Sequence, residues 1–128
     1  MVWISAEVAA PGPVVWDLLT DPDRWPEWGP SVRSAELRAD GVRAGAEGSV
    51  HTALGVSLPF IITDFEAGRR WAWRVAGVTA TDHLVEEIDD GHCRVSFGVP
   101  IVVAPYLAIC RRALVRLDRL AASVLAAS

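Results

Sequence analysis

Apolar and polar positions alternate along most of this chain, and two stretches replace the alternation with a helical rhythm. In Arg70-Trp71-Ala72-Trp73-Arg74-Val75 a period of two puts Trp71, Trp73 and Val75 on one face and Arg70 and Arg74 on the other. The run from Cys93 to Val99 does the same for Cys93, Val95, Phe97 and Val99. With residues 2–9, 31–39, 47–54, 57–66 and 79–88 these runs predict seven strands. Asp40-Gly41, Gly55, Gly68, Gly77 and Asp90-Gly91 punctuate the last six at hairpin spacing. Those six therefore form an antiparallel sheet, and the first strand must join its edge. Within 81–87, Thr81, His83, Val85 and Glu87 share one face, opposite Asp82, Leu84, Glu86 and Ile88. In 58–66 both faces are apolar, so the parity of Ile61, Thr63 and Phe65 stays open.

The stronger helical stretch is the last quarter. Val103, Leu107, Cys110, Leu114, Leu117, Ala121 and Val124 recur at spacings of four and three, one apolar face of a helix. Arg112, Arg116 and Arg119 fall on the opposite side, as a solvated surface does. Pro105 suits a first helical position, where its missing N–H is no loss, so one unbroken helix is predicted from Pro105 to about Ala126. A long helix with one apolar stripe must lie on something, and the sheet is what the chain offers. The other helical stretch is short: Val15, Leu18 and Leu19 share a face before Asp21-Pro22 restarts the chain as a cap and first-turn proline. Asp23 to Trp28 holds at most a turn of helix, with Trp25 and Trp28 packing as a plug.

Composition narrows the picture. At 128 residues the chain reads as one domain spanning 1–128, and 52% hydrophobic residues with six tryptophans exclude disorder. A net charge of −4 speaks against a nucleic-acid or anionic-membrane surface. Met1 to Ile4 runs at once into Glu7 and prolines rather than a signal peptide, which makes a cytoplasmic location the expectation. Residues 95–110 carry no charge but are broken by Gly98, Pro100 and Pro105, too short a run to cross a membrane. Cys93 and Cys110 lie far apart without a CxxC spacing and are expected as buried reduced thiols.

The order β–α–α–β6–α carries a resemblance. VWDLLTDPDRWPEWGPSV resembles the first helix and Trp-Pro-x-Trp exit of the polyketide cyclase/dehydrase-like members of the START/Bet v 1 (SRPBCC) superfamily. ITDFEAGRRWAWRV is similar to their strand–turn–strand and DHLVEEIDDGHCRVSF to their late hairpin, where Gly-Thr-Arg is commoner than this Gly91-His92-Cys93-Arg94. These matches are fold markers, not catalytic motifs. The resemblance implies an α+β helix-grip fold, a curved seven-stranded antiparallel sheet around the C-terminal helix, enclosing a cavity. It also implies apolar ligands, such as lipids, polyketides or hormones, and in some members cyclisation or dehydration. A fold alone does not assign an activity.

Three functions follow as expectations. The first is binding of a hydrophobic or aromatic small molecule between sheet and helix, with Trp71, Trp73, Thr81, His83, Val85, Val95, Phe97, Tyr106, Cys110 and Leu114 as candidate wall. The second is a cyclase or dehydratase with His83 as general acid or base, assisted by Thr81, Glu87 or Tyr106. The third is a regulator whose cavity is filled by side chains and whose surface binds a partner. Cavity volume separates the third from the others, since a drug-sized ligand needs about 300 Å³. His83 has a bland alternative, a ring held by one hydrogen bond at the cavity wall or sheet edge. Tyr106 either gates the cavity mouth or caps the sheet rim. His51, His83 and His92 lie on different elements, so no metal and no cofactor is expected. Glu86-Glu87 and Asp89-Asp90 read as a solvated hairpin, from which only Glu87 can turn inward. The expected partner is an apolar small molecule, not nucleic acid or membrane, and a homodimer stays open.

Overall fold

The structure, a computed structural model, describes residues 1–127, without the side chains of 102–104. All seven expected strands form: β1 (Val2–Val8), β2 (Val32–Leu37), β3 (Glu47–Thr52), β4 (Ser57–Glu66), β5 (Arg70–Val75), β6 (Val78–Asp89) and β7 (His92–Val99). They make one curved antiparallel sheet in the order β1-β7-β6-β5-β4-β3-β2. β1 closes beside β7 in unbroken register from Val2 opposite Val99 to Val8 opposite Cys93. A two-residue hairpin joins β5 to β6 through Ala76 and Gly77. Both have positive φ, 52° and 77°, the turn geometry that matches the twist of the flanking strands.

The open parity of β4 has a structural answer. A β-bulge between Ile62 and Asp64 adds one residue to the pairing with β5. Phe60 and Ile62 therefore face the core before the bulge, and Phe65 turns toward it after the bulge to meet Trp16 at 5.8 Å between ring centroids. A single alternation cannot describe a strand that changes phase in its middle.

Helix α1 (Gly12–Thr20) buries Val15, Leu18 and Leu19, the face its spacing predicts. Asp21 then caps a 3₁₀ turn, Pro22–Arg24, by accepting from Asp23 N at 3.0 Å. Helix α2 (Trp25–Trp28) is a single turn whose two indoles are buried. Each indole N–H donates to the end of α1: Trp25 to the Leu19 carbonyl at 2.8 Å and Trp28 to that of Leu18 at 2.9 Å. Those carbonyls belong to the unpaired last turn of a helix, so the plug satisfies donors and acceptors together.

The long helix α3 spans Leu107–Ala127, 21 residues without a break. It starts two residues later than expected, because Pro105 and Tyr106 belong to a preceding 3₁₀ stretch, Ile101–Tyr106. Its buried face is Cys110, Ala113, Leu114, Leu117 and Ala121, while Arg112, Arg116 and Arg119 are exposed. Val103, expected at the head of this stripe, lies outside the described side chains. α1 packs on β6, β7 and α3, which closes one end of the groove between sheet and helix.

Candidate functional site

The groove is divided by an aromatic layer. Trp71 on β5 is fully buried and sandwiched. Trp25 covers one of its faces at 5.3 Å between centroids and 12° between planes, and His83 covers the other at 3.8 Å and 17°. Phe97 and Trp28 stand edge-on to His83 at 5.3 and 6.3 Å. A large apolar ring contributes most when its whole surface is covered, and both faces of Trp71 are spent on neighbouring rings.

His83 sits in this stack for reasons readable from its strand. Period two places it between Thr81 and Val85 on the inward face, and the register sets it opposite Trp71 and Phe97. Its Nδ1 lies 3.0 Å from the Trp71 carbonyl oxygen. A carbonyl only accepts, so Nδ1 carries the proton and Nε2 is left with a bare lone pair. Burial pushes the imidazole down to about 3, with the Trp71 hydrogen bond pulling weakly the other way. At neutral pH this ring has no second proton to give.

Beyond the aromatic layer the groove opens into a cavity of about 270 Å³. Its wall is the far end of the sheet: Val50 and Thr52 of β3, Leu58 of β4, Trp73 and Val75 of β5, Val78 to Thr81 of β6, and Val99 of β7. Ser31, Val32 and Tyr106 also line it, and among the described lining residues none is charged. A smaller inner space of about 40 Å³ reaches from it toward His83. Trp71, Trp73, Thr81, His83, Phe97, Tyr106 and Cys110 border that space. At the junction the hydroxyls of Ser31 and Tyr106 are hydrogen-bonded at 2.6 Å. Burial raises the Tyr106 pKa, opposed by that bond, so the phenol stays protonated.

The expected wall is thus partly brought together. Trp73, Thr81 and Tyr106 line both spaces; Trp71, His83, Phe97 and Cys110 line the inner one. Val85, Val95 and Leu114 are buried in the core and border neither, because α1 and α3 cover that end of the sheet. Glu87 does not join His83. It is exposed, with its carboxylate over Gly12 at the start of α1, where a Cβ would overlap it. The neighbouring hairpin is local structure: Asp89 accepts from Gly91 N at 2.9 Å and pairs with His92 Nδ1 at 2.8 Å. Ser31, Val50 and Leu58 had no signal as wall residues in the sequence, since nothing local marks a loop serine as the partner of a tyrosine 75 positions away.

Cys93 and Cys110 are both free and buried, and burial pushes each thiol up to about 11, so neither is a thiolate at neutral pH. Among the described residues no group of three or more His, Cys, Asp or Glu side chains converges as a metal site. No described helix is long and apolar enough to cross a membrane.

A curved antiparallel sheet gripping a C-terminal helix, with a cavity left between them, defines a known class. The chain belongs to the family of polyketide cyclase / dehydrase and lipid transport proteins, whose family model matches residues 2–123. No curated protein matches it. Solved structures similar to it include an uncharacterised protein from Bacillus thuringiensis, 17% identical with a TM-score of 0.73 over 93% of this chain and 96% of that one. XoxI from Bacillus cereus is 16% identical, with a TM-score of 0.75 over 96% of each chain. The di-domain ARO/CYC BexL from the BE-7585A biosynthetic pathway is 13% identical, with a TM-score of 0.73 over 92% of this chain and 45% of that one. At these identities the likeness is one of fold.

Proposed function

We propose that the chain binds a small, neutral, apolar molecule in the cavity between the far end of the sheet and the Ser31–Tyr106 bridge that precedes the C-terminal helix. The observation that carries this reading is a cavity of about 270 Å³ with no charged residue among its described lining. A charged ligand placed there would lose its hydration without gaining a countercharge, a cost of several kcal/mol. The volume lies just under the roughly 300 Å³ at which drug-sized ligands begin to fit. The ligand is therefore a molecule of one or two rings, or a short aliphatic body, rather than a polycyclic polyketide. The aromatic layer has filled the room that a larger ligand would need.

Acid–base chemistry at His83 has less support. Burial holds its pKa at about 3, so at neutral pH it lacks the second proton that a general acid would give, and it is a weak base. Glu87, the carboxylate that would tune it, is exposed over Gly12. By the criterion of about 300 Å³ the cavity falls on the regulator's side for a drug-sized ligand; its open outer end supports a smaller one.

Native mass spectrometry of freshly purified protein, followed by thermal unfolding with a panel of neutral mono- and bicyclic compounds and their carboxylate analogues, tests the proposal. A bound neutral molecule, or a melting temperature raised by neutral members only, is the expected result. A panel in which carboxylates stabilise as well as their neutral counterparts, or in which nothing binds, would sink it.

A further inference from the structure

Polar groups of Trp71, Trp73 and His83 border the inner space, beside the hydroxyl residues Ser31, Thr81 and Tyr106 that it shares with the outer one. Two of the indoles on its border, Trp71 and Trp73, have a buried Nε1–H without a hydrogen-bond partner among the described residues. By contrast Trp25 and Trp28, which also border it, spend theirs on the carbonyls of Leu19 and Leu18. His83, 3% exposed, supplies the complementary group: Nδ1 donates to the Trp71 carbonyl, which leaves the Nε2 lone pair. Its ring centroid is 3.8 Å from that of Trp71 and 6.0 Å from that of Trp73, and all three side chains border this one space. Buried donors left unpaired are unfavourable and rare in folded proteins.

We propose that this inner space is a hydroxyl-recognition subsite, which takes the O–H of a neutral alcohol or phenol whose apolar body fills the outer cavity. The inference rests on the binding function proposed above. The complement is that of a hydroxyl: two lone pairs to accept from Trp71 and Trp73, and one proton to donate to His83 Nε2. A ketone or ether could satisfy the indoles but would leave the imidazole lone pair facing an oxygen. A carboxylate would bring an uncompensated charge. The space of about 40 Å³ holds one oxygen with its hydrogen and little more. A water offers the same complement. What favours a hydroxyl on an apolar body is the continuity of the two spaces through Ser31, Val32, Trp73, Thr81 and Tyr106.

β-Naphthol, naphthalene and β-methoxynaphthalene differ only in this group and serve as probes. On the full chain, β-naphthol should bind about tenfold more tightly than naphthalene, with the methyl ether no better than naphthalene. In proton–nitrogen correlation spectra, β-naphthol should move the indole N–H signals of Trp71 and Trp73 downfield relative to naphthalene, leaving those of Trp25 and Trp28 in place. His83→Phe should reduce the β-naphthol affinity to that of naphthalene; if that variant fails to fold, the wild-type spectra decide. Equal affinity of β-naphthol and naphthalene, with the Trp71 and Trp73 signals unmoved between them, would mean that a buried water alone occupies the subsite. That result overturns this inference and leaves the apolar cavity standing. If none of the three binds, both proposals fall together.

Discussion

The two ends of the groove are built from the same inward face of one sheet, yet one is packed solid and the other is not. At the α1 end, Val85, Val95 and Cys93 meet Leu19 and Leu117 in a core where each is at most 4% exposed. At the other end the equivalent inward positions, Val50, Leu58, Val75 and Val99, surround the cavity. The difference is in what covers them. α1 lies over the first end, while the second is bordered by the Ser31–Tyr106 bridge. Between the two stands the layer of Trp25, Trp71 and His83. A sheet face specifies where side chains point; whether they meet anything depends on the layer opposite.

The packed end should be the sensitive one. Leu114→Asp puts an unpaired charge at a position 3% exposed, at a cost of several kcal/mol, and should abolish cooperative unfolding. Circular dichroism melting checks this, and a variant that melts like the parent removes Leu114 from the core. Trp71→Ala opens a cavity within the aromatic layer and should cost about 3–5 kcal/mol in urea titration. Val78→Ala at the open end, where Val78 is 58% exposed, should stay within about 0.5 kcal/mol. Comparable costs for those two would erase the distinction between the ends.

The aromatic layer also predicts a pH dependence. His83 titrates near 3 in the folded chain and at its ordinary 6.5 when unfolded. Below pH 6.5 the unfolded chain takes up a proton that the folded one refuses. Stability from this residue is therefore complete above about pH 6.5 and falls as the pH drops toward 3. The slope in that window should approach about 1.4 kcal/mol per pH unit. Denaturant titrations of wild type and His83→Gln at successive pH values isolate it, and parallel curves would mean that the imidazole is not buried as described. The open end can also be tested by filling it. Val75→Phe should drop a ring into the cavity, change stability by no more than about 1.5 kcal/mol and abolish the thermal shift caused by neutral ligands. A loss as large as that of Trp71→Ala would show that the cavity is already filled.

Much of this was legible beforehand. Period two correctly set Trp71, Trp73, Thr81 and His83 inward, and the spacing of the last quarter identified the buried stripe from Cys110 to Ala121. The same two periodicities made Val85, Val95 and Leu114 look like cavity wall, because they report facing and not cover. Period two also left Glu87 on the inward face, although at the strand's far end that face runs out of the groove. Trp71 and Trp73 were expected as wall for an aromatic ligand, yet both pack against each other and against Trp25.

By itself the sequence determined the elements, their antiparallel order and the faces they bury, since turn chemistry and hydrophobic period are local properties of the chain. Three things were decided only by tertiary structure. One is the phase change in β4, which a bulge against β5 imposes. Another is the Ser31–Tyr106 bridge across 75 positions. The last is the volume and chemistry of the space left over. That space is the difference between two surfaces brought together from opposite parts of the chain, and no local pattern contains it.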